Sequence, residues 1–319
     1  MRRRRFFALG LGAALLAGCG TEYAATGTVG PWRTRGRFAI GAGGDRWARV
    51  AATLVRCARE SGYAVTSQTP VTKVTVTGLP ALAAADMNNG LSLLDTATPL
   101  ARLTGDVEVV VVPGTSRFRN FDEFGAYLVA QPDQTKLAGG RQGGPDHLLF
   151  GLIAKGLGAD ARRIDYTGYR NSAGAATALL GGKATAAAGA LADWRPSIDG
   201  RQVRVLAVSS AQRAAGLDAP TLLEQGVRVD FADWCAAVGP DSMSDDSRAA
   251  AIQMCDDVCG SRAWQDACRA GGWNPIPLSG DDFEKWLTSE IDRTRAVLRD
   301  LGLLDTPGTT CWGSCGNGH

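Results

Sequence analysis

The apolar residues of the chain follow two patterns that alternate along the sequence. Residues 38–40 form a short apolar run typical of a buried strand, and a glycine-rich loop follows it. Beyond the loop, apolar residues recur every three or four positions on one helical face, which Gly62 closes; they are Trp47, Val50, Ala51, Leu54, Val55 and Ala58. With Asp45 as the helix N-cap, the segment predicts a strand, a loop and a helix.

The same unit recurs twice. Residues 136–138 predict a strand, and a helix begins at Pro145 after the loop 139–144, because proline suits the first helical position. Residues 164–166 predict a third strand and residues 175–180 a third helix. Further strands are predicted at 107–112, 184–188, 203–208 and 236–238, and a long helix at 281–301. Because strands and helices alternate, we predict an α/β fold with mainly parallel sheets.

The loops between strand and helix in these three units contain the candidate binding residues. In such folds, ligands bind beyond the carboxyl ends of the strands, where helix N-termini offer unpaired N–H groups and partial positive charge. That chemistry suits a carboxylate. The candidates are Ala42, Gly43, Gly44 and Asp45 in the first loop, Gly140, Arg141, Gln142, Gly143 and Gly144 with Asp146 and His147 in the second, and Tyr169, Asn171, Ser172 and Ala173 in the third.

Each loop also has a simpler interpretation as a plain turn, and none matches a Walker or dinucleotide motif. The third loop resembles the Gly-x-Ser-x-Gly elbow of hydrolases, with Ser172 as nucleophile, but Arg170 stands where the first glycine belongs. The chain has only two histidines, His147 and His319, and a Ser-Asp-His order is hard to assemble from them. We therefore predict no catalytic residue, no metal and no cofactor.

The first nineteen residues have the features of an export signal. Four arginines precede an apolar stretch, and Leu16-Ala17-Gly18-Cys19 matches a lipobox. We expect cleavage before Cys19, lipidation of its thiol and attachment to the outer face of the cytoplasmic membrane. Residues 20–34 are rich in glycine, threonine and alanine, which predicts a flexible tether. The apolar stretch is too short to remain as a spanning helix.

Charge argues against nucleic acid as a partner. Removal of residues 1–19 takes away four arginines and no acidic residue, so the net charge moves from +2 to −2. The remaining arginines are scattered among carboxylates and form no basic patch. A chain of this length exceeds what one core usually serves, so two domains are expected.

Seven cysteines remain after Cys19, which are Cys57, Cys235, Cys255, Cys259, Cys268, Cys311 and Cys315. Export permits disulfides, and an odd number leaves at least one thiol unpaired within the chain. The pairs Cys255-x3-Cys259 and Cys311-x3-Cys315 also allow a four-thiolate zinc site. We favour disulfides over zinc, with their connectivity open.

A family resemblance rests on a dense set of motifs between residues 98 and 273. They are Gly-Gly-Pro-Asp-His-Leu-Leu from Gly143, Leu-Ile-Ala-Lys-Gly from Leu152, Ala-Leu-Leu-Gly-Gly from Ala178, Val-Leu-Ala-Val-Ser-Ser from Val205, Thr-Pro-Leu-Ala-Arg-Leu-Thr-Gly from Thr98, and Gly-Gly-Trp ending at Trp273. The chain resembles the substrate-binding proteins of tripartite tricarboxylate transporters, the TctC or Bug family. The resemblance covers residues 37–304.

This resemblance implies a two-domain periplasmic-binding-protein fold of type II, a Venus flytrap with its ligand cleft between domains. We expect residues 35–112 with 236–306 to form one domain, residues 113–235 the other, and residues 307–319 a Gly/Cys-rich tail. The implied function is a receptor, not an enzyme, that passes a small organic acid to the integral-membrane permease subunits of the transporter. A serine hydrolase using Ser172 and a carboxylate sensor without transport remain the alternatives.

We predict that Cys19→Ala leaves the protein folded but releases it from membranes, because acyl chains rather than the folded body would hold it there. Fractionation of cells that express each form, with antibody detection, measures the release. Membrane retention of the variant would contradict the lipid anchor.

Overall fold

The structure is a computed structural model that describes residues 36–304. Its strands are β1 (Arg37–Ala42), β2 (Ala64–Val65), β3 (Thr72–Gly78), β4 (Ala97–Pro113), β5 (Lys136–Gly139), β6 (Asp165–Gly168), β7 (Ala186–Ala190), β8 (Val203–Val208), β9 (Ala232–Pro240) and β10 (Asn274–Ser279). Its helices are α1 (Ala48–Glu60), α2 (Leu79–Met87), α3 (Leu93–Thr96), α4 (Phe121–Ala130), α5 (Pro145–Leu157), α6 (Ser172–Leu180), α7 (Leu191–Asp199), α8 (Asp245–Gly260), α9 (Arg262–Gly271) and α10 (Gly280–Asp300).

Strand β4 joins the two halves of the fold. It is 17 residues long, and its neighbours change along its length. Its first part, to Val107, pairs with β9 and β10, and β9 leads on through β3 and β1 to β2. Its second part, from Glu108, pairs with β7 and β8, and β7 leads on to β5 and β6. One strand therefore belongs to two sheets.

The α/β prediction is confirmed, but the sheets are mixed rather than mainly parallel. Parallel pairs lie at the outer parts, between β1 and both β2 and β3, and between β5 and both β6 and β7. Every pair made by β4 is antiparallel, as is the pair β3–β9. The reason is that β4 and β9 cross between the halves in opposite directions. Strand β4 changes partners near Glu108, and β9 begins at Ala232.

The terminal helix α10 packs against both halves. Val297, Leu298 and Leu301 share one buried apolar cluster with Leu149 and Ile153 of α5. The approach is close, since a Cβ added at Gly151 of α5 would lie 3.0 Å from Val297 and Leu301 side-chain atoms. Helix α10, which the sequence places in the first domain, therefore also contacts α5, which follows a strand of the second sheet.

Two local expectations change. Gly44, not Asp45, precedes the first helical turn, because Asp45–Trp47 form a short 3-10 turn and α1 begins only at Ala48. Pro145 does open α5, as predicted. Helix α6 begins at Ser172, three residues earlier than predicted, because the Asn171 side chain caps it.

The disulfide expectation is not met by the described cysteines. Cys57, Cys235, Cys255, Cys259 and Cys268 are all buried free thiols. All five lie in the apolar core beneath the first sheet, packed among aliphatic and aromatic side chains. Within residues 36–304, no group of histidine, cysteine and carboxylate side chains is arranged to hold a metal. Cys311 and Cys315 lie outside the described residues.

The expected signal, Cys19, the tether at 20–34 and the tail at 307–319 also fall outside the described residues. Across residues 36–304, every helix is too short or too polar to span a bilayer.

We predict that Leu298→Ala lowers the free energy of unfolding by about 2–5 kcal/mol, because the fully buried side chain would leave a cavity between α10 and α5. Urea denaturation measures the change. Leu91→Ala is the control, since Leu91 is 70% exposed, and it should change stability by less than about 0.5 kcal/mol. A loss below about 1 kcal/mol for Leu298→Ala would contradict a buried core shared by α10 and α5.

Candidate functional site

The second and third glycine-rich loops meet at the ends of β5 and β6. The Tyr169 N–H donates to the Gly139 carbonyl at 2.8 Å. A Cβ added at Gly168 would lie 2.8 Å from the backbone nitrogen of Gln142, so the two loops touch through their backbones. The fold thus brings two of the three predicted loops together directly.

Four of the backbone N–H groups expected to hold an anion already have protein acceptors. Gly140 donates to Asp146 Oδ2 at 2.5 Å and Gly143 to His147 Nδ1 at 3.1 Å. Gly144 donates to the Arg141 carbonyl at 2.9 Å, and Gly43 to that of Val76 at 2.8 Å. Because an amide N–H is a single donor, an anion at these positions would have to displace an internal bond. The backbone cradle expected from the sequence is therefore not free in this structure.

Gly143 has the positive φ, +75°, that favours glycine. A Cβ there would lie 2.3 Å from Met87 Sδ, so this residue packs against α2. Substitution of Gly143 would disturb that packing and would not report on ligand contact alone.

His147 has a structural position. Its ring is buried and stacks on Tyr166 with 4.0 Å between centroids. Burial lowers the pKa of His147 to about 4, so the ring is neutral at neutral pH. The Tyr166 hydroxyl donates to the Gly140 carbonyl at 2.7 Å. His147 and Tyr166 therefore pack against the second loop and support it.

The third loop supplies caps rather than a nucleophile. Asn171 Oδ1 accepts from the Gly174 N–H at 3.0 Å, and the Ser172 hydroxyl donates to Asp193 Oδ2 at 2.6 Å. His147, the one histidine in residues 36–304, is bonded to Gly143 instead. Ser172 therefore lacks the histidine base that a serine hydrolase uses. The remaining predicted residues are open to solvent or partly so, with Ala42, Gly44, Asp45, Arg141, Gln142 and Ala173 exposed or half-buried and Tyr169 half-buried.

A cluster of carboxylates lies where β4 and β9 cross. Asp106 and Asp233 are directly opposite each other in the antiparallel register, and Glu108 follows two residues along β4. Asp146 of the second loop joins them, since its charge acts on Glu108. Arg46, next to the first loop, forms an ion pair with Asp233. Through Arg46, the segment after the first loop contacts the same carboxylate cluster as the second loop.

Burial dominates the electrostatics of this cluster. It raises the pKa of Asp106 to about 7, with the neighbouring charge of Asp233 adding to the effect. Burial likewise raises the pKa of Asp146 to about 6 and that of Glu108 well above its ordinary value. Glu108 is only 1% exposed, and its Oε2 atom has no hydrogen-bond partner among the described residues. The cluster is therefore a group of buried carboxyl groups that keep their protons to a higher pH than exposed ones do.

A cavity of about 1230 Å³ adjoins the cluster at Asp106. Elements of both halves border it: β4, β10, α9 and α10 on one side, and the start of α7 and the loop 210–215 on the other. None of the predicted loop residues lines this cavity.

Arg102 of β4 is one of the arginines that line this cavity. Its Nε donates to the Ile276 carbonyl at 2.8 Å, and its guanidinium lies 4.4 Å from the Trp286 ring centroid. Burial lowers the pKa of Arg102, and the nearby charges of Glu290 and Asp230 oppose that shift without lying in ion-pair contact with the guanidinium. By contrast, Arg293 in the same cavity pairs with Glu290 at 2.7 Å. Arg102 is therefore available to a negatively charged ligand.

The sequence carried signals for these residues. Arg102 lies inside the motif Thr98–Gly105 on which the family resemblance rests. Glu108 interrupts an apolar run that predicts a buried strand, and a charge in such a run is rarely buried without a function.

Two sheets that share strand β4, with a cavity between the helices of the two halves, form a two-lobed α/β fold. Solved structures of periplasmic solute-binding proteins share this fold. A TctC solute-binding protein from Polaromonas superposes with a TM-score of 0.68 at 16% identity, over 83% of this chain and 99% of that one. Rpa4515 of R. palustris, solved with adipate, gives a TM-score of 0.64 at 18% identity, over 83% of this chain and 97% of that one.

The sequence identifies the family. The model of the tripartite tricarboxylate transporter family receptor, TctC, matches residues 46–303, so the chain belongs to that family. Protein BugT of Bordetella pertussis is 27% identical over 213 residues, which is 66% of this chain. The chain spans 64% of the length of that relative.

We predict that Glu108→Gln raises the free energy of unfolding at about pH 8. Because the folded-state pKa of Glu108 is raised, the unfolded chain loses its proton first, and stability falls as pH rises from the ordinary pKa to the raised one. Glutamine carries no charge and removes this penalty, and its amide can donate to neighbouring carboxylates.

Urea denaturation at several pH values measures the effect. The advantage of the variant should shrink toward about pH 4, where Glu108 is protonated in both states. Glu60→Gln, which removes an exposed carboxylate paired with Arg56, is the control and should change stability by less than about 1 kcal/mol at any pH. A variant less stable than the parent at pH 8 would contradict the destabilisation that we assign to the buried Glu108 carboxyl group.

Proposed function

We propose that the protein is an extracytoplasmic receptor that captures a small organic acid in the cavity between the two sheets and delivers it to the permease of a tripartite tricarboxylate transporter. It acts by binding and release, without turnover. Family membership supports the receptor role, and Ser172 without a neighbouring histidine disfavours a hydrolase.

Arg102 carries the proposal of an acidic ligand. A guanidinium removed from water without a counter-charge is costly, and a ligand carboxylate would offset that cost through bidentate hydrogen bonds. Its stacking on Trp286 and its bond to Ile276 hold it in one orientation before the ligand arrives. A related fold holding adipate, as in Rpa4515, supports an acid of similar size.

Closure by a hinge at the crossing strands would trap the ligand. We propose the division expected from the sequence, residues 35–112 with 236–306 against 113–235, with the hinge where β4 changes partners near Glu108 and where β9 begins at Ala232. The two walls of the cavity come from opposite sides of this division. Rotation about the strands would therefore open and close the cavity.

A lipid on Cys19 and the tether at 20–34 would keep the receptor at the outer face of the cytoplasmic membrane, beside the permease. A sensor that signals without transport would use the same site. Loss of organic-acid uptake on deletion of the gene, with uptake restored by the intact gene, would support transport, whereas unchanged uptake would favour the sensor.

A thermal-shift screen tests the ligand class. Succinate, malate, adipate, citrate and their amino-substituted analogues are added to the purified protein. A ligand present at 100 times its dissociation constant adds about 2.7 kcal/mol of stability. The absence of stabilisation by every acid in the panel would contradict the proposal.

We predict that Arg102→Gln weakens the best acid from this screen about tenfold or more, because a charge-assisted hydrogen bond contributes about 1.5–3 kcal/mol. Calorimetry measures the affinity. Arg262→Gln is the matched control, since the Arg262 side chain is 94% exposed on α9, and its affinity should be unchanged. Equal affinities for the two variants would show that Arg102 does not contribute to ligand binding.

A further inference from the structure

Glu108 is a buried carboxyl group that lacks a partner within the described part of the chain. Its side chain is 1% exposed, and its Oε2 atom has no hydrogen bond among residues 36–304. A carboxylate in that place would carry a full charge out of water without a donor to compensate it. A protonated carboxyl group costs less, but its O–H group then needs an acceptor.

Asp146 is the acceptor on the same side of the central strand. Residues two apart on a strand point to the same face, so Glu108 shares its face with Val110. Val110 belongs to one buried apolar cluster with Leu148 of α5, and Asp146 lies in the first turn of that helix. Among the surrounding charges, that of Asp146 acts most strongly on Glu108. The two carboxyl groups therefore lie near each other between β4 and α5.

Asp146 also holds the second glycine-rich loop. Its Oδ2 atom accepts from the Gly140 N–H at 2.5 Å, and a Cβ added at Gly139 would lie 2.6 Å from the Asp146 Cβ. Burial raises the pKa of Asp146 to about 6, although the bond from Gly140 opposes this shift. Burial, and then the charge of Asp146, raise the pKa of Glu108 well above its ordinary value. At neutral pH, Asp146 is therefore ionised and Glu108 keeps its proton.

We propose that Glu108 and Asp146 hold one proton between them at neutral pH, and that this proton fastens the second glycine-rich loop to β4. The Glu108 O–H donates to the Asp146 carboxylate, which also accepts the Gly140 N–H. A hydrogen bond from a carboxyl group to a carboxylate is short and strong, because its acceptor is charged. The proposal concerns how the loop is attached and does not depend on which ligand the protein binds.

The other titratable and charged groups around the pair do not take over this role. They are Asp106 of β4, Asp233 of β9, Tyr166 of β6, His147 of α5 and Arg46 of the turn before α1. Arg46 forms its ion pair with Asp233, and the Tyr166 hydroxyl donates to the Gly140 carbonyl. His147 is neutral, because burial lowers its pKa to about 4. The shared proton is therefore the one that links the loop directly to β4.

The attachment of the loop should weaken as pH rises. When the loop opens and water reaches the pair, Glu108 returns to its ordinary pKa and gives up its proton at neutral pH. The closed form then binds one proton more than the open form, and above about pH 6 Asp146 is ionised in both. By linkage, the equilibrium constant for opening should increase about tenfold per pH unit until Glu108 also ionises in the closed form.

Carboxyl-carbon NMR of the purified protein tests the shared proton. At about pH 7.5 the Glu108 resonance should be that of a protonated carboxyl group and the Asp146 resonance that of a carboxylate. Each resonance should also respond when the other group titrates, because the protons of a coupled pair belong to both sites. An ionised Glu108 at this pH would overturn the proposal.

A substitution of the acceptor tests the coupling. Asp146→Asn should lower the titration midpoint of Glu108 by about one pH unit or more, because it removes the charge that favours the protonated form. Glu60→Gln is the control, since Glu60 is an exposed carboxylate paired with Arg56, and it should leave the midpoint unchanged. A Glu108 midpoint that Asp146→Asn does not move would overturn the proposal.

Hydrogen exchange of the Gly140 amide tests the attachment of the loop. The exchange rate relative to that of an unstructured peptide gives the equilibrium constant for opening. Between about pH 7 and 8.5 we expect this constant to increase about tenfold per pH unit in the parent. In Glu108→Gln it should stay constant, because the glutamine amide donates to Asp146 and does not titrate. The same pH dependence in both forms would overturn the role of the proton.

Glu108→Leu is the matched variant that removes the donor. At about pH 7 it should increase the opening of Gly140 at least tenfold, whereas Glu108→Gln should keep opening at or below the level of the parent. Equal protection of Gly140 in the two variants would overturn the attachment. If Glu108→Leu does not fold, the comparison of the parent with Glu108→Gln decides the question.

Discussion

The pairing of β4 with β9 is the interaction on which the rest of the structure depends. These strands run antiparallel through the middle of the fold, and each half of the molecule is attached to them. Because β4 changes neighbours at Glu108, the same strand positions the arginine of one half and the carboxylates at the boundary. Any movement between the halves must bend or twist these strands, where the charged residues lie.

This constraint explains why polar residues interrupt an otherwise apolar strand. Val109 to Val112 are fully buried on both faces, as expected for a central strand. Asp106 and Glu108 come just before them on the strand. Because they are two residues apart, they point to the same face of the strand. Asp106 borders the cavity, whereas Glu108 is buried and its carboxyl group has a raised pKa.

The glycine-rich loops make close contacts within the protein. Glycine permits close backbone approach, and in this structure the backbone approaches other parts of the protein. Asp146 and His147 accept from the loop amides and hold the second loop against Tyr166. Asp146 and His147 therefore support the second loop from within the protein, and Arg102 and Asp106 of β4 border the cavity.

The sequence by itself determined the family, the α/β class and the position of several elements, because these depend on local periodicity and on short motifs. Strand β8 at Val203–Val208, the start of α5 at Pro145 and most of α10 follow from such patterns. Segments with weaker periodicity, such as α8 and α9, and strand β3 were not predicted. Only the tertiary structure decided the strand directions, the free state of the five buried cysteines and the meeting of Arg46, Asp106, Glu108, Asp146 and Asp233. These residues come from four distant segments, and one sequence holds no local signal for contacts that arise when separate strands and helices pack together.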